Sequence, residues 1–123
     1  MDRPQTLHIA KPWGFFDQYT LNELCTVKIL TCNPGEKLSL QKHRRRSELW
    51  VALDDGVIVE LDGKTLRPSK GQEIWLPLGS VHRFTCEATA SGAVRVLEIS
   101  LGDFDENDIE RLEDSYGRAS MAL

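Results

Sequence analysis

The chain has 123 residues, enough for one domain with one modest core, and its 41% hydrophobic and 28% charged residues are an ordinary globular balance. The net charge of -4 disfavours nucleic acid or anionic membrane as a partner, and no apolar run approaches the length of a bilayer span. The opening MDRPQTLHIAKPWG lacks the apolar core of a secretion signal, and Cys25, Cys32 and Cys86 show no CxxC spacing, so they read as reduced thiols of a cytoplasmic protein.

Residues 1–11 carry little pattern and predict an arm or a loosely paired edge strand. Pro12-Trp13-Gly14 is a turn, after which Phe15, Phe16 and Tyr19 supply aromatic bulk for the outside of the domain or a dimer contact. Leu24 to Thr31 alternates, with Val27 and Ile29 on one face and Thr26 and Lys28 on the other, as a half-buried strand does. Asn33-Pro34-Gly35 turns the chain.

The next stretch, GEKLSLQKHRRRSELWVALDDG from Gly35 to Gly56, reads as two strands and a break. Residues two apart on a strand share a side, so Lys37, Ser39, Gln41 and His43 form one face and Leu38 and Leu40 the other. After Arg44-Arg45-Arg46-Ser47 a second strand presents Glu48, Trp50 and Ala52 together. Asp62-Gly63 is a tight-hairpin signal that pairs Val57–Leu61 with Lys64–Arg67. Then comes GQEIWLPLGSVHRF, Gly71 to Phe84, in which Pro77 and Gly79 turn the chain ahead of His82. Val94, Val96, Leu97 and Ile99 mark a further strand. Many short strands separated by turn signals predict a sandwich or barrel, and a jelly roll removes most exposed edges. Beyond Gly102 the period changes. Asp105 suits an N-cap, Ile109, Leu112 and Tyr116 form one stripe, and Gly117 suits a C-terminal cap, which predicts a short helix over about 105–117.

A lone His or Glu on a strand is usually a surface residue. Here the spacings Gly-x5-Gln-x-His-x4-Glu and Gly-x5-Pro-x-Gly-x2-His bring one amide oxygen, two imidazoles and one carboxylate into related positions. That N/O set suits a divalent transition metal with open positions for substrate.

The two stretches resemble the paired motifs of the cupin superfamily. PGEKLSLQKHRRRSELW, IWLPLGSVHRF and the late DSYGR look like the cupin domain of type II mannose-6-phosphate isomerases, which is often fused behind a mannose-1-phosphate guanylyltransferase. The resemblance runs from Pro12 to Arg118. It implies an all-β, cupin-type double-stranded β-helix (a jelly-roll barrel over about 12–102) with one short C-terminal helix, the whole chain being a single domain, and it implies a homodimer. It implies Gln41, His43, Glu48 and His82 as ligands of one divalent metal ion: Zn, Mn, Fe, Co or Ni. The chain departs from the family where histidines are common, at Arg44, Arg45 and Leu49, and Asp55 stands where a Gly is expected, with Gly56 beside it. No glycine-rich nucleotide loop is present, so guanylyl transfer is not expected of these residues.

The implied reaction is aldose–ketose isomerisation of mannose 6-phosphate and fructose 6-phosphate through an enediol, with a metal at the oxygens and a side chain moving the proton. The expected catalytic residues are Lys37, Glu98 and Arg118, with Glu98 either inward beside Val94 and Val96 or exposed. Ser39, Arg46 and Arg83 are the expected substrate contacts, although Arg83 should point away from His82 on the same strand. Two other classes fit the same barrel. One is a non-catalytic cupin binding a sugar or metabolite, motivated by the missing histidines. The other is an oxygenase-type cupin, which Gln41 argues against because such sites usually use three histidines.

Overall fold

The computed structural model describes residues 3–118. Its strands, in chain order, are β1 (Leu7–Lys11), β2 (Gly14–Gln18), β3 (Cys25–Cys32), β4 (Leu40–Lys42), β5 (Arg46–Ala52), β6 (Val57–Leu61), β7 (Lys64–Leu66), β8 (Glu73–Leu76), β9 (His82–Cys86), β10 (Val94–Gly102) and β11 (Glu110–Glu113). All pairings are antiparallel. One sheet has the order β3-β10-β5-β8 and a second the order β11-β4-β9-β6-β7, while β1 and β2 form a separate hairpin. The two larger sheets pack face to face as a jelly-roll barrel, the double-stranded β-helix that the sequence resemblance implies.

The expected hairpin forms, with Leu61 paired to Lys64 across Asp62-Gly63. Both turn residues have positive φ (46° and 83°), the geometry of the tight turn that matches strand twist. Gly102 has a different task. Its φ is +111°, and a Cβ there would stand 2.7 Å from the Arg45 carbonyl oxygen. A bare backbone therefore lets the end of β10 close against the turn that follows His43.

The core fills one end of the barrel. Trp50, Val96 and Leu76 from one sheet meet Val59, Phe84 and Cys86 from the other. Each such fully buried apolar side chain contributes about 1.5–3 kcal/mol. Toward the other end the interior turns polar. On β10 the inward residues run Val94, Val96, Glu98, Ser100, and all four are buried. Glu98 lies opposite Trp50 on β5 and Lys28 on β3, and Ser100 lies opposite Glu48. Trp50 marks the boundary, with its ring edge-on to His82 on the polar side and to Phe84 on the apolar side.

This polarity inverts the expectation for β3. Val27 and Ile29 face outward, each 57% exposed, while Lys28 faces the interior. A second apolar cluster also lies on the outer face, where Leu49, Ile99 and Leu101 are covered by Tyr19 and Trp75. Trp13 and Phe15, on the β1–β2 hairpin, remain exposed.

The helix expected over 105–117 does not form. Asp105 starts one turn only, accepting the Asn107 N–H with Oδ1 and the Asp108 N–H with its carbonyl. The chain then pairs as β11 along β4. A bare strand edge offers a full row of backbone partners. The proposed apolar stripe has little to bury against, since Leu112 and Tyr116 stay exposed. No helix in the described residues is long and apolar enough to cross a membrane.

Candidate metal centre

His43, Glu48 and His82 converge in the polar end of the barrel, and each is at most 3% exposed. Three strands and two turns set them there. Glu48 projects inward from β5, paired in register with Leu76 and Ser100. His82 opens β9 directly after the Pro77–Ser80 turn, closed by the Ser80 N–H to the Pro77 carbonyl. His43 follows β4, and its carbonyl accepts the Gly79 N–H at 3.1 Å, tying the two sequence motifs together. Gln41 is the register partner of His82.

His43 Nε2 lies 3.0 Å and His82 Nε2 3.5 Å from Glu48 Oε1. The protonation of both rings follows from their other nitrogen. His43 Nδ1 is 2.6 Å from the Asp108 carbonyl oxygen, and His82 Nδ1 is 3.2 Å from that of Ser80. A carbonyl oxygen only accepts, so each Nδ1 carries a hydrogen, and Nε2 of each ring is turned toward Glu48, with Arg46 Nη2 also 3.4 Å from His43 Nε2. Glu48 Oε2 is already occupied by the Trp50 indole N–H at 2.9 Å, which leaves Oε1 to face the imidazoles. Despite their proximity, Glu48 Oε1 and His82 Nε2 have no well-aligned hydrogen bond.

Three buried lone pairs aimed at one another repel unless a positive charge lies among them. Arg46 supplies part of that charge, with Nη2 3.4 Å from His43 Nε2 and Nε 3.8 Å from Glu48 Oε1; a proton on an imidazole or a cation held by all three would supply the rest. The donor set fits a divalent metal: two imidazoles whose far nitrogens are fixed by carbonyls, and one carboxylate oriented by Trp50. Burial works against charge on Glu48. The contacts with His43, His82 and Glu98 outweigh it and hold the carboxyl well below the usual range. Its neighbour moves the opposite way: burial, then the negative charge of Glu48, push Glu98 up to about 8.

Above these groups opens a cavity of about 300 Å³. Ser39, Gln41, His43, Arg46, Glu98 and Arg118 line it, together with Lys28 and Arg111, whose part the sequence did not suggest. Glu98 is thus inward, one of the two orientations the sequence left open. Arg46, an expected substrate contact, lines the cavity and is buried, with Nη1 on the Asp105 carbonyl and Nε 3.8 Å from Glu48 Oε1. The Arg46 guanidinium and Lys28 Nζ each stand over the Phe104 ring, at 4.4 and 4.2 Å from its centroid.

Two expected contacts lie elsewhere. The Arg83 guanidinium points away from the cavity, donating to the Leu38 carbonyl and to the Glu113 carboxylate and carbonyl. It clamps β11 onto the barrel, as the strand alternation with His82 requires. Lys37 lines an adjoining pocket with Glu36, Tyr116 and Arg118, and its Nζ is 3.9 Å from Glu113. Besides Lys28 and Arg111, sequence reasoning missed the parts of Trp50 and Asp108. The first could have been found from its place two residues after Glu48. The second carries no local signal.

Residues 2–114 match the family described as mannose-6-phosphate isomerase C-terminal. Over 113 residues the chain is 35% identical to the alginate biosynthesis protein AlgA of Pseudomonas aeruginosa, covering 91% of this chain and 23% of that one. Over 111 residues it is 33% identical to the mannose-1-phosphate guanylyltransferase ManC of Salmonella typhimurium, covering 89% and 23%. The chain thus spans about a quarter of the length of these relatives. Among solved structures, the capsular polysaccharide assembling protein CapF of Staphylococcus aureus superposes with a TM-score of 0.65 at 16% identity, over 89% of this chain and 34% of that one. A cupin 2 domain-containing protein of Halorhodospira halophila gives 0.62 at 18% identity, over 83% and 64%. The second of these likenesses shows the cupin fold.

Proposed function

The chain belongs to the mannose-6-phosphate isomerase C-terminal family of cupin domains, and on that premise we propose that it is a metal-dependent isomerase interconverting mannose 6-phosphate and fructose 6-phosphate. The observation that carries this reading is the convergence of His43, Glu48 and His82 beside a cavity lined by His43 and four cationic side chains. Gln41, which lines the same cavity opposite His82, is the proposed fourth donor. Zn, Mn, Fe, Co and Ni all suit this N/O set. When bound, the ion would supply Lewis-acid polarisation of the sugar's carbonyl and hydroxyl oxygens.

The remaining roles fall to the protein. Lys28, Arg46, Arg111 and Arg118 offer charge and N–H donors for a phosphate. Ser39 and Gln41 offer hydrogen bonds to sugar hydroxyls. Glu98, with a pKa of about 8, suits a group that takes a proton from one of the two reacting carbons and returns it to the other. The position of Lys37 beside Glu113, in the adjoining pocket, favours an outer electrostatic part over contact with those carbons.

The competing reading, a cupin that binds a sugar without turning it over, was motivated by Arg44, Arg45 and Leu49. Arg44 and Arg45 are exposed, and Leu49 packs in the outer cluster on the side opposite Glu48. These departures leave the cavity wall intact, which favours catalysis. Incubation of the chain with fructose 6-phosphate and each of Mn, Zn, Co and Ni tests the choice. Mannose 6-phosphate is the expected product. Thermal stabilisation by the sugar phosphate without turnover under any metal would replace the isomerase with the binding protein.

A further inference from the structure

The loop from Asp103 to Ile109, between β10 and β11, touches the site at several points. Phe104 packs against Lys28 and Arg46, the Asp105 carbonyl accepts from Arg46, and the Glu106 carboxylate accepts from Lys28 at 2.9 Å. The contact with the most specific consequence is made by Asp108, which is 8% exposed and absent from every sequence motif. Its Oδ1 accepts the Arg44 N–H at 2.9 Å and its Oδ2 the Arg45 N–H at 2.8 Å. Both carboxylate oxygens are therefore committed to the two residues after His43. Two residues later Glu110 enters the ladder opposite Lys42. Residue 108 is thus fixed relative to His43 from both sides, and its carbonyl oxygen comes to lie 2.6 Å from His43 Nδ1.

We propose that Asp108 is a positioning residue for His43: its carboxylate anchors the turn so that its own carbonyl holds the imidazole as the Nδ1–H tautomer, with the Nε2 lone pair, 3.4 Å from Arg46 Nη2, turned toward the metal site. The inference rests on the metal reading above only for its consequence, since the tautomer itself is a property of the metal-free chain. Loss of the carboxylate leaves the Arg44 and Arg45 N–H groups without their acceptor and lets the carbonyl drift from the ring. His43 then populates the Nε2–H form, which cannot ligate through Nε2. Support from partners of this kind is worth about 10–100-fold in metal affinity.

The test compares the wild type with Asp108→Ala, Asp108→Asn and a control, Asp54→Ala. Asp54 likewise accepts a backbone N–H, that of Arg95, but away from the cavity. Two quantities are read: the His43 tautomer in the metal-free chain from long-range nitrogen–proton NMR at alkaline pH, and the Mn affinity from competition with a chelator. The expected result is an Nε2–H population and an affinity about 10–100-fold weaker in Asp108→Ala, smaller changes of both in Asp108→Asn, and neither in the control. Should Asp108→Ala fail to fold, Asp108→Asn, which keeps one oxygen acceptor, decides the matter by the same two readings. An unchanged tautomer in the folded Asp108 variants overturns the proposal. A shifted tautomer in a chain whose wild type binds no divalent ion upholds the positioning role and removes the metal reading instead.

Discussion

His43 Nε2 faces Glu48 Oε1 across 3.0 Å, while the other nitrogen of the same ring is committed to a backbone carbonyl. Two buried acceptors facing one another are costly unless positive charge lies nearby, and Arg46, 3.4 Å from His43 Nε2 and 3.8 Å from Glu48 Oε1, supplies part of it. The same opposition recurs at His82, 3.5 Å away from the same oxygen.

Trp50 sets which carboxylate oxygen enters that arrangement, because its indole N–H holds Oε2. Trp50→Phe removes the donor and keeps the aromatic bulk between cavity and core. The expected outcome is metal affinity about 10–100-fold weaker with the barrel retained, read by chelator competition alongside circular dichroism.

The metal-free chain should lose stability as pH rises from the ordinary glutamate value toward 8. Glu98 holds its proton in the folded state up to about 8, whereas in the unfolded chain it gives it up near 4.5. Between those values the folded state binds more protons, so the contribution is complete below the lower value and gone above the upper one. The slope is at most one proton, about 1.4 kcal/mol per pH unit. Urea denaturation across this window should show the decline in the wild type and its loss in Glu98→Gln. A wild-type profile no steeper than that of the variant would contradict the assignment.

Arg83 follows His82 in sequence yet works as a structural clamp. Its guanidinium is buried and serves the Leu38 carbonyl and Glu113. Arg83→Ala should cost on the order of 2 kcal/mol in stability. Metal affinity measured well below the melting temperature should stay within about two-fold of wild type; a ten-fold loss would move Arg83 into the site.

The jelly roll and the convergence of His43, Glu48 and His82 were legible because their signals are local. Alternation, turn residues and the fixed separations Gln41-x-His43-x4-Glu48 and Gly79-x2-His82 need no knowledge of distant packing. The failures arose where tertiary context decides. Val27 and Ile29 alternate as a buried face would, but the barrel interior beside them is a polar cavity, so Lys28 turns inward. Ile109, Leu112 and Tyr116 have helical spacing, but the open edge of β4 captures the segment. Asp108 acts across 65 residues on His43, a relationship that no window of sequence contains.

Metal analysis after equilibrium dialysis of the metal-free chain against Mn, Zn, Co or Ni tests the central claim most directly, with His82→Ala and Gln41→Ala run beside the wild type. The account predicts one tightly held divalent ion per wild-type chain and its loss from both variants, with the circular dichroism of a β-barrel unchanged. A wild type that retains none of these ions, or a His82→Ala chain that retains them as well as the wild type, would contradict it.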